Sequence, residues 1–336
     1  MKLGYSVGQA GASWPRYWKN PFLNENRGGF NVEQARLKAL LPIDSSLRLT
    51  AQFNFASLEL SEIYFESHWG HTRWKLGKFA GAGLRTGPAT DEFSLTTIRA
   101  PRYTRVWAFF KRLQNWRDFG VQAEHDYFSG RFTHRLFLHN ANGQNVINED
   151  PSDLQNGSFP TQALGLDYGW EVKTTEHSLL GGHFGALADK EWNEFFGHRQ
   201  FWRVNHWMRS NPIVDASVFH EFESGRAWFQ SEILVLSNRT LRNPDSSATK
   251  TWGASILGRY RFGSSWTPYG RYEFFDLTDG VFLNDNTHLF TGGVIWSPSR
   301  GKRPWSWTFQ YTRTLEEKLV NLFSNDVFFL QFKSEF

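Results

Sequence analysis

The chain has 336 residues, no cysteine and a formal net charge of +4 at pH 7. Its aromatic fraction of 17 % is high although its mean hydropathy is only −0.51, and no segment offers the ~18 consecutive apolar residues of a spanning helix. These values exclude a helical membrane protein, a disulfide framework and a cysteine-ligated metal site. A transmembrane β-barrel accounts for them, because it shows lipid an apolar face, water a polar face and both interfaces a girdle of aromatic side chains.

Alternation of apolar and polar residues with a period of two recurs along the whole chain and predicts β-strands. In 47–55, for example, apolar residues alternate with Arg48, Thr50 and Gln52, and in 305–312 aromatic residues alternate with serine, threonine and glutamine. An even number of segments suits a bacterial barrel formed by a single chain. Sixteen segments of about the length of a tilted spanning strand follow in chain order: 2–10, 29–42, 46–57, 59–69, 71–82, 115–128, 130–141, 160–172, 176–188, 212–222, 225–237, 249–262, 265–277, 286–298, 304–316 and 325–336.

The connections between these segments alternate in length. Tight hairpins at 42–45, 128–130, 223–225 and 263–265 alternate with long polar stretches at 11–28, 83–114, 142–159, 189–211 and 238–248. Short turns on one side and long loops on the other are typical of outer-membrane barrels, whose turns are periplasmic and whose loops are extracellular. We therefore expect an all-β fold, a closed antiparallel transmembrane β-barrel of about 16 strands.

Three further expectations concern the chain as a whole. The charged residues of the polar face are too many to bury in a soluble barrel, so we expect that face to line a wet lumen. Without a linker or a regular repeat, residues 1–336 read as one domain. Residues 1–5 have no apolar signal-peptide region, and we expect the sequence to be the mature form of a protein exported to the bacterial outer membrane.

Several short stretches resemble one family of porins. Residues 74–84 (WKLGKFAGAGL) and 117–122 (RDFGVQ), with 130–132 (GRF) and 139–144 (HNANGQ), are similar to the phosphate-selective porin O and P family. The terminal Phe336 is similar to the C-terminal aromatic residue of outer-membrane proteins. The resemblance is most specific over about 46–145 and implies a sixteen-stranded trimeric porin whose third loop folds into the pore. The resemblance assigns no phosphate ligand of the family to a residue of this chain.

The third loop, 83–114, carries the strongest local charge signal. A pore selects by its narrowest ring and by the charges that line it, and a guanidinium is suited to phosphate or carboxylate. The cations of this loop outnumber Asp91 and Glu92, so we predict a constriction formed by Arg85, Arg99, Arg102, Arg105, Lys111 and Arg112. The alternative is an exterior loop whose cations meet lipopolysaccharide or solvent.

The alternation also predicts which charged residues line the lumen. The expected cations are Arg36, Lys38, Arg48, Arg73, Lys75, Arg131, Arg135, Arg259, Arg261, Arg271 and Lys333, and the expected anions are Glu62, Glu66, Asp118, Glu124, Asp126, Asp167, Glu171, Asp215, Glu221, Glu232, Glu273 and Glu335. Because the two sets nearly balance, the charge count does not argue for anions. A transverse field across the pore and simple ion pairs in the wall both remain open. The scattered histidines show no metal-ligand spacing.

The leading hypothesis is a porin, a passive channel for small polar or ionic solutes, with an anion or phosphate preference through the arginines of 83–114. We expect no catalytic residue, no cofactor, no metal and no nucleic-acid partner. The expected partners are outer-membrane lipid and lipopolysaccharide, small anions or other polar solutes, and two further copies in a homotrimer. The alternatives are an outer-membrane barrel enzyme of the lipase or protease kind and a soluble, tryptophan-rich all-β carbohydrate-binding protein.

Overall fold

The computed structural model describes residues 2–8, 29–34, 36–55, 59–81, 117–140, 163–189, 213–238, 249–276, 286–299, 305–316 and 327–334. Within these ranges the chain forms one sheet of seventeen strands. They are Lys2–Gly8 (β1), Gly29–Gln34 (β2), Arg36–Pro42 (β3), Leu47–Asn54 (β4), Glu59–Trp69 (β5), Thr72–Ala80 (β6), Arg117–Tyr127 (β7), Phe132–His139 (β8), Ala163–Thr175 (β9), Ser178–Asp189 (β10), Ile213–Ser224 (β11), Ala227–Asn238 (β12), Thr249–Tyr260 (β13), Trp266–Asp276 (β14), Thr287–Ser299 (β15), Trp305–Glu316 (β16) and Val327–Ser334 (β17). No helix in the described ranges has the length and apolarity needed to cross a membrane.

Neighbouring strands pair antiparallel, which confirms the predicted all-β antiparallel fold. From β3 to β17 each strand pairs with the next along the chain, as in β4 with β5 and β15 with β16. The first strand pairs with the last, Leu3 opposite Phe332, and also with β2. The described strands lie within three residues of the sixteen predicted segments, except that 29–42 is divided between β2 and β3 at Ala35. Ala35 lies outside the described residues.

The short connections between strands lie together at the same end of the strands, which we call the turn end. They are residues 43–46, 70–71, 128–131, 176–177, 225–226 and 261–265. The opposite end of the strands is the loop end. In the first turn, Oδ1 of Asp44 accepts hydrogen bonds from the backbone N–H of Ser46 (2.6 Å) and Leu47 (2.8 Å). Hydrogen bonds from the backbone and hydroxyl of Ser46, with that from Leu47, hold the pKa of Asp44 below its usual value. At the second turn Gly70 has φ +56°, a conformation that costs glycine little.

The two faces of the sheet differ in composition and in burial. One face, the polar face, carries buried side chains such as Gln52, Asp167, Glu232 and Thr308. The other face, the apolar face, carries exposed aliphatic and aromatic side chains: Leu76, Val121, Leu136, Leu166, Phe184, Val218, Ile233, Ile256, Phe290, Phe309 and Phe328. This is the reverse of a water-soluble protein, which buries apolar and exposes polar side chains. The sheet therefore exposes its apolar face and buries much of its polar face.

Small apolar clusters break the polar face. Tyr64, Phe79 and Phe137 form one cluster, with the rings of Tyr64 and Phe79 5.5 Å apart and those of Phe79 and Phe137 5.1 Å apart. A second cluster packs Leu257, Tyr269 and Ile295. These rings fill space between polar neighbours and position the side chains beside them.

Candidate functional site

A ladder of ion pairs crosses the polar face near the turn end. Arg48 pairs with Glu66, and Arg73 pairs with Glu124. Each pair occupies directly opposed positions on adjacent strands, β4 with β5 and β6 with β7. The alternation places all four side chains on the polar face. Because the partners of each pair are directly opposed, they lie close enough to form an ion pair.

Arg135 on β8 extends this ladder. Its Nε lies 2.7 Å from Oε2 of Glu124 and its Nη1 lies 2.5 Å from Oε1 of Glu171 on β9. One guanidinium thus joins two carboxylates because its donors form a fixed fork. The ladder therefore runs without interruption from β6 to β9.

The cations and anions of the ladder differ in their exposure. The side chain of Arg48 is 45 % exposed and that of Glu66 is 4 % exposed. The values are 36 % and 10 % for Arg73 and Glu124, and 27 % for Arg135 against 15 % for its partner Glu171. The carboxylates lie against the wall and the guanidinium groups lie above them. The more exposed part of the ladder is therefore cationic, although its three arginines and three glutamates balance in formal charge.

Two other ion pairs of the polar face are buried on both sides. Nε of Arg117, at the loop end of β7, lies 2.9 Å from Oε1 of Glu62. Nη2 of Arg271 lies 2.6 Å from Oε1 of Glu273. Their side chains are 12 % exposed or less, so these pairs hold the wall together and offer little charge to solvent.

A chain of alternating carboxylates and imidazoles crosses β7 to β11. Nδ1 of His139 lies 2.8 Å from Oδ2 of Asp118, and its Nε2 lies 3.1 Å from Oδ2 of Asp167. Nε2 of His183 lies 3.3 Å from Oδ1 of Asp167, and its Nδ1 lies 3.1 Å from Oδ2 of Asp215. We call these five residues the Asp–His chain. Among the described residues, no group of three or more histidine, cysteine or acidic side chains is arranged to hold a metal ion.

The polar face of β14 to β16 carries hydroxyl and amide groups. The hydroxyl of Tyr269 donates a hydrogen bond to Oε1 of Gln310 (2.9 Å), whose Nε2 donates one to Oγ1 of Thr312 (3.1 Å). The hydroxyls of Thr312 and Thr291 lie 3.0 Å apart. The polar face thus has a charged sector on β4 to β12 and a sector rich in hydroxyl groups on β15 and β16.

Aromatic side chains of the apolar face lie near the turn end. Trp69, Phe128 and Phe262 are 75 %, 78 % and 67 % exposed. Further exposed aromatic side chains are Trp74, Tyr127, Phe222, Phe229, Tyr260 and Trp266. Aromatic rings at one level, next to a band of aliphatic side chains, form the girdle that suits a membrane interface.

The comparisons with known proteins agree with this geometry. The chain is similar to the anion-selective porin of Comamonas acidovorans (TM-score 0.60, 10 % identity, 99 % of this chain and 95 % of that one). It is similar to OmpF of Salmonella typhi in complex with daunomycin (TM-score 0.58, 8 % identity, 100 % and 97 %). It is also similar to the trimer form of OmpT from Vibrio cholerae (TM-score 0.57, 12 % identity, 99 % and 97 %).

The chain has the fold of bacterial outer-membrane porins. These likenesses are structural, since no protein-family model and no curated protein sequence matches the chain. The similarity to the phosphate-selective O and P family therefore stays a prediction.

The predicted site residues are distributed unevenly over the structure. The constriction predicted at Arg85, Arg99, Arg102, Arg105, Lys111 and Arg112 lies outside the described residues, as does the side chain of Arg36. The ion-pair ladder brings together Arg48, Arg73 and Arg135. Lys75 lies on the same face, with Nζ 5.4 Å from the ring centre of Tyr64. Three of the predicted cations are exposed: Lys38 on β3 and the turn residues Arg131 and Arg261. Arg259 lies over the ring of Trp228. Arg271 is buried against Glu273.

Sequence reasoning missed the Asp–His chain. It placed Asp118, Asp167 and Asp215 on the polar face, but it treated the histidines as scattered. A local signal exists, because His139 alternates in step with Arg135, and His183 in step with Gly181 and Gly185. The pairing of each histidine with its carboxylates depends on strand register, which the alternation does not define.

Proposed function

We propose that this protein is a porin of the bacterial outer membrane, a passive channel for small polar solutes with a preference for anions. The sheet closes into a single barrel domain spanning 1–336, in which β2 and β3 form one strand and sixteen strands cross the membrane. The polar face lines the lumen, and the apolar face meets lipid. The reversal of burial between the two faces carries this proposal, because a bilayer is the solvent in which exposed Leu, Ile, Val and Phe side chains are stable.

The orientation follows from the two ends of the strands. The turn end faces the periplasm and the loop end faces outward, as in other outer-membrane barrels. Lipid contacts the apolar face, and lipopolysaccharide contacts the loop end. The chain assembles as a homotrimer, a proposal supported by the trimer form in which one similar protein has been solved.

The anion preference rests on the ion-pair ladder. Because Arg48, Arg73 and Arg135 are more exposed than their carboxylate partners, a permeating ion passes a positive surface. Fixed charges that line a pore select ions of opposite sign. The arginines of 83–114, including Arg99, Arg102 and Arg105, would add to this field if the third loop folds into the pore, and phosphate is then a natural substrate for their guanidinium groups.

The enzyme alternative gains no support from the Asp–His chain. A catalytic histidine must reach its substrate, whereas His139 and His183 are 2 % and 3 % exposed. The soluble carbohydrate-binding alternative would leave the apolar face in water, where so large an exposed apolar surface promotes association. A channel accounts for both faces of the sheet.

Reversal potential across a planar bilayer in a KCl gradient tests the anion preference. We expect the wild-type channel to prefer chloride and the double variant Arg48→Gln/Arg73→Gln to lose at least half of that preference, because two exposed cations leave the lumen. The matched control is Arg313→Gln, an exposed arginine whose strand position places it on the apolar face. Cation preference in the wild type, or equal effects of the double variant and the control, would show that the ladder does not set selectivity.

A further inference from the structure

The Asp–His chain is a continuous set of contacts within the sheet. Its members alternate as Asp118, His139, Asp167, His183 and Asp215, one from each of five consecutive strands, and all are 3 % exposed or less. Its four nitrogen–oxygen distances lie between 2.8 and 3.3 Å. Charged groups are rarely buried this deeply unless each has a partner.

The contacts determine how many protons the chain must hold. A neutral imidazole has one N–H donor and one nitrogen that can only accept. Both ring nitrogens of His139 and both of His183 face carboxylate oxygens, so a neutral ring would turn one lone pair toward another. Nδ1 of His139 and Oδ2 of Asp118 are placed for a hydrogen bond, whereas the other three contacts are ion pairs without hydrogen-bond geometry. All four contacts are attractive only when both imidazoles carry two protons. The chain then holds two positive and three negative charges.

Glycines on the neighbouring strands leave room for the two imidazole rings. Gly120 and Gly165 lie directly opposite His139 on the neighbouring strands, and Gly169 lies opposite His183. A Cβ atom at Gly165 would lie only 2.1 Å from Nε2 of His139. On its other side, the ring of His139 stacks on that of Phe137, with ring centres 4.7 Å apart and planes at 12°. The wall is thus shaped around the ring that joins Asp118 to Asp167.

Two arginines near the Asp–His chain have carboxylate partners outside it. Arg117, next to Asp118, binds Glu62, and Arg135, on the strand of His139, binds Glu124 and Glu171. The remaining charged groups on the polar face of β9, β11 and β12 are Lys173, Glu221, Glu223 and Glu232. Lys78 of β6 is also buried and lies opposite Phe119, the residue after Asp118. Acids outnumber cations around the chain, so the surrounding charges attract a cationic imidazole.

The geometry points to a pH-dependent tie: the Asp–His chain joins β7 to β11 while both imidazoles are doubly protonated, and it opens when alkaline pH removes one of these protons. Loss of one proton turns one attractive contact into a repulsive one and changes the summed formal charge of the five residues from −1 to −2. The direction is opposite to that of an ordinary buried carboxylate pair, which weakens in acid. The proposal does not depend on whether the chain conducts ions.

Nitrogen-15 spectra of histidine-labelled protein in detergent micelles test the proton count directly. At about pH 8 an unperturbed histidine is neutral, so we expect two of the eleven histidines to give the signature of a doubly protonated ring. One of these two signals should disappear in His139→Gln, and the other should disappear in His183→Gln. Spectra of the wild type in which every histidine is a neutral tautomer would overturn the proposal, even if neither variant folds.

Thermal unfolding between about pH 6 and about pH 10 tests the tie itself. We expect the unfolding temperature of the wild type to fall with rising pH, and this fall to be at least halved in His183→Gln. The matched control is His134→Gln, which removes a histidine of β8 on the apolar face and should leave the wild-type slope unchanged. Parallel pH profiles for the wild type and His183→Gln would refute the tie.

Discussion

Replacing Ile233 by arginine separates a lipid-facing apolar face from a water-facing one. Ile233 is 57 % exposed and lies in the middle of β12, six residues from Ala227 at the turn end. At ~3.4 Å per residue and a tilt of ~40°, it lies about 15 Å from that end along the membrane normal. The apolar band of an outer-membrane barrel is about 25 Å tall, so Ile233 is close to its midplane.

An arginine at the midplane of the lipid-facing surface costs about 2–4 kcal/mol, whereas one near the interface costs about 0–1 kcal/mol. We therefore expect Ile233→Arg to lower the free energy of unfolding by ~2–4 kcal/mol. Ala227→Arg, on the same strand and face but at the turn end, should lower it by less than ~1 kcal/mol. Because the two variants carry the same new side chain, the difference between their free energies of unfolding reports how deep each position lies in the membrane.

Reversible urea unfolding in phospholipid vesicles, followed by tryptophan fluorescence, measures both values. The chain has 16 tryptophans, so the signal is large. Equal small effects of the two variants would mean that Ile233 faces water, and the assignment of the apolar face to lipid would be wrong. A soluble sheet that exposes Ile233 to water would tolerate the new arginine at either position.

Two further predictions concern the packing of the sheet. Gly165→Ala should lower the free energy of unfolding by ~1–3 kcal/mol in the same urea assay, because its Cβ would overlap His139. Gly292→Ala, whose Cβ would have no atom within 4 Å, should lower it by less than ~1 kcal/mol. Equal losses of stability would refute the close packing at Gly165. Arg117→Ala should cost ~3–5 kcal/mol because it leaves the buried carboxylate of Glu62 without its guanidinium, and adding Glu62→Gln should recover part of this loss. Failure of the second change to recover any stability would show that the pair is not coupled.

Strand positions and faces could be predicted from the sequence because both are local properties. A strand that separates two environments alternates with a period of two, and the residues of β4 and β16 show this period clearly. The same rule predicts that Arg48 and Thr308 lie on the opposite face of the sheet from their apolar neighbours. The division of 29–42 also has a local signal, because the alternation changes phase just before Ala35. Phe30 and Val32 occupy even positions, whereas Leu37 and Ala39 occupy odd ones.

The exposure of the charged side chains could not be predicted from the sequence. The sequence predicts nearly equal numbers of cations and anions on the polar face, and the predicted balance gave no reason to favour anions. The structure distributes exposure unevenly, with Glu66 and Glu124 against the wall and Arg48 and Arg73 above them. Side-chain length explains this difference, because a long guanidinium can extend past the carboxylate that it binds.

By itself, the sequence determined that the protein is an all-β chain with one apolar and one polar face, since period and composition are read along the chain. Only the tertiary structure decided which polar residues meet. The Asp–His chain joins side chains from five strands, and its members span nearly a hundred positions from Asp118 to Asp215. Their contacts depend on register and on the glycines opposite them, and a shift of one residue in a single strand would move its side chain to the other face.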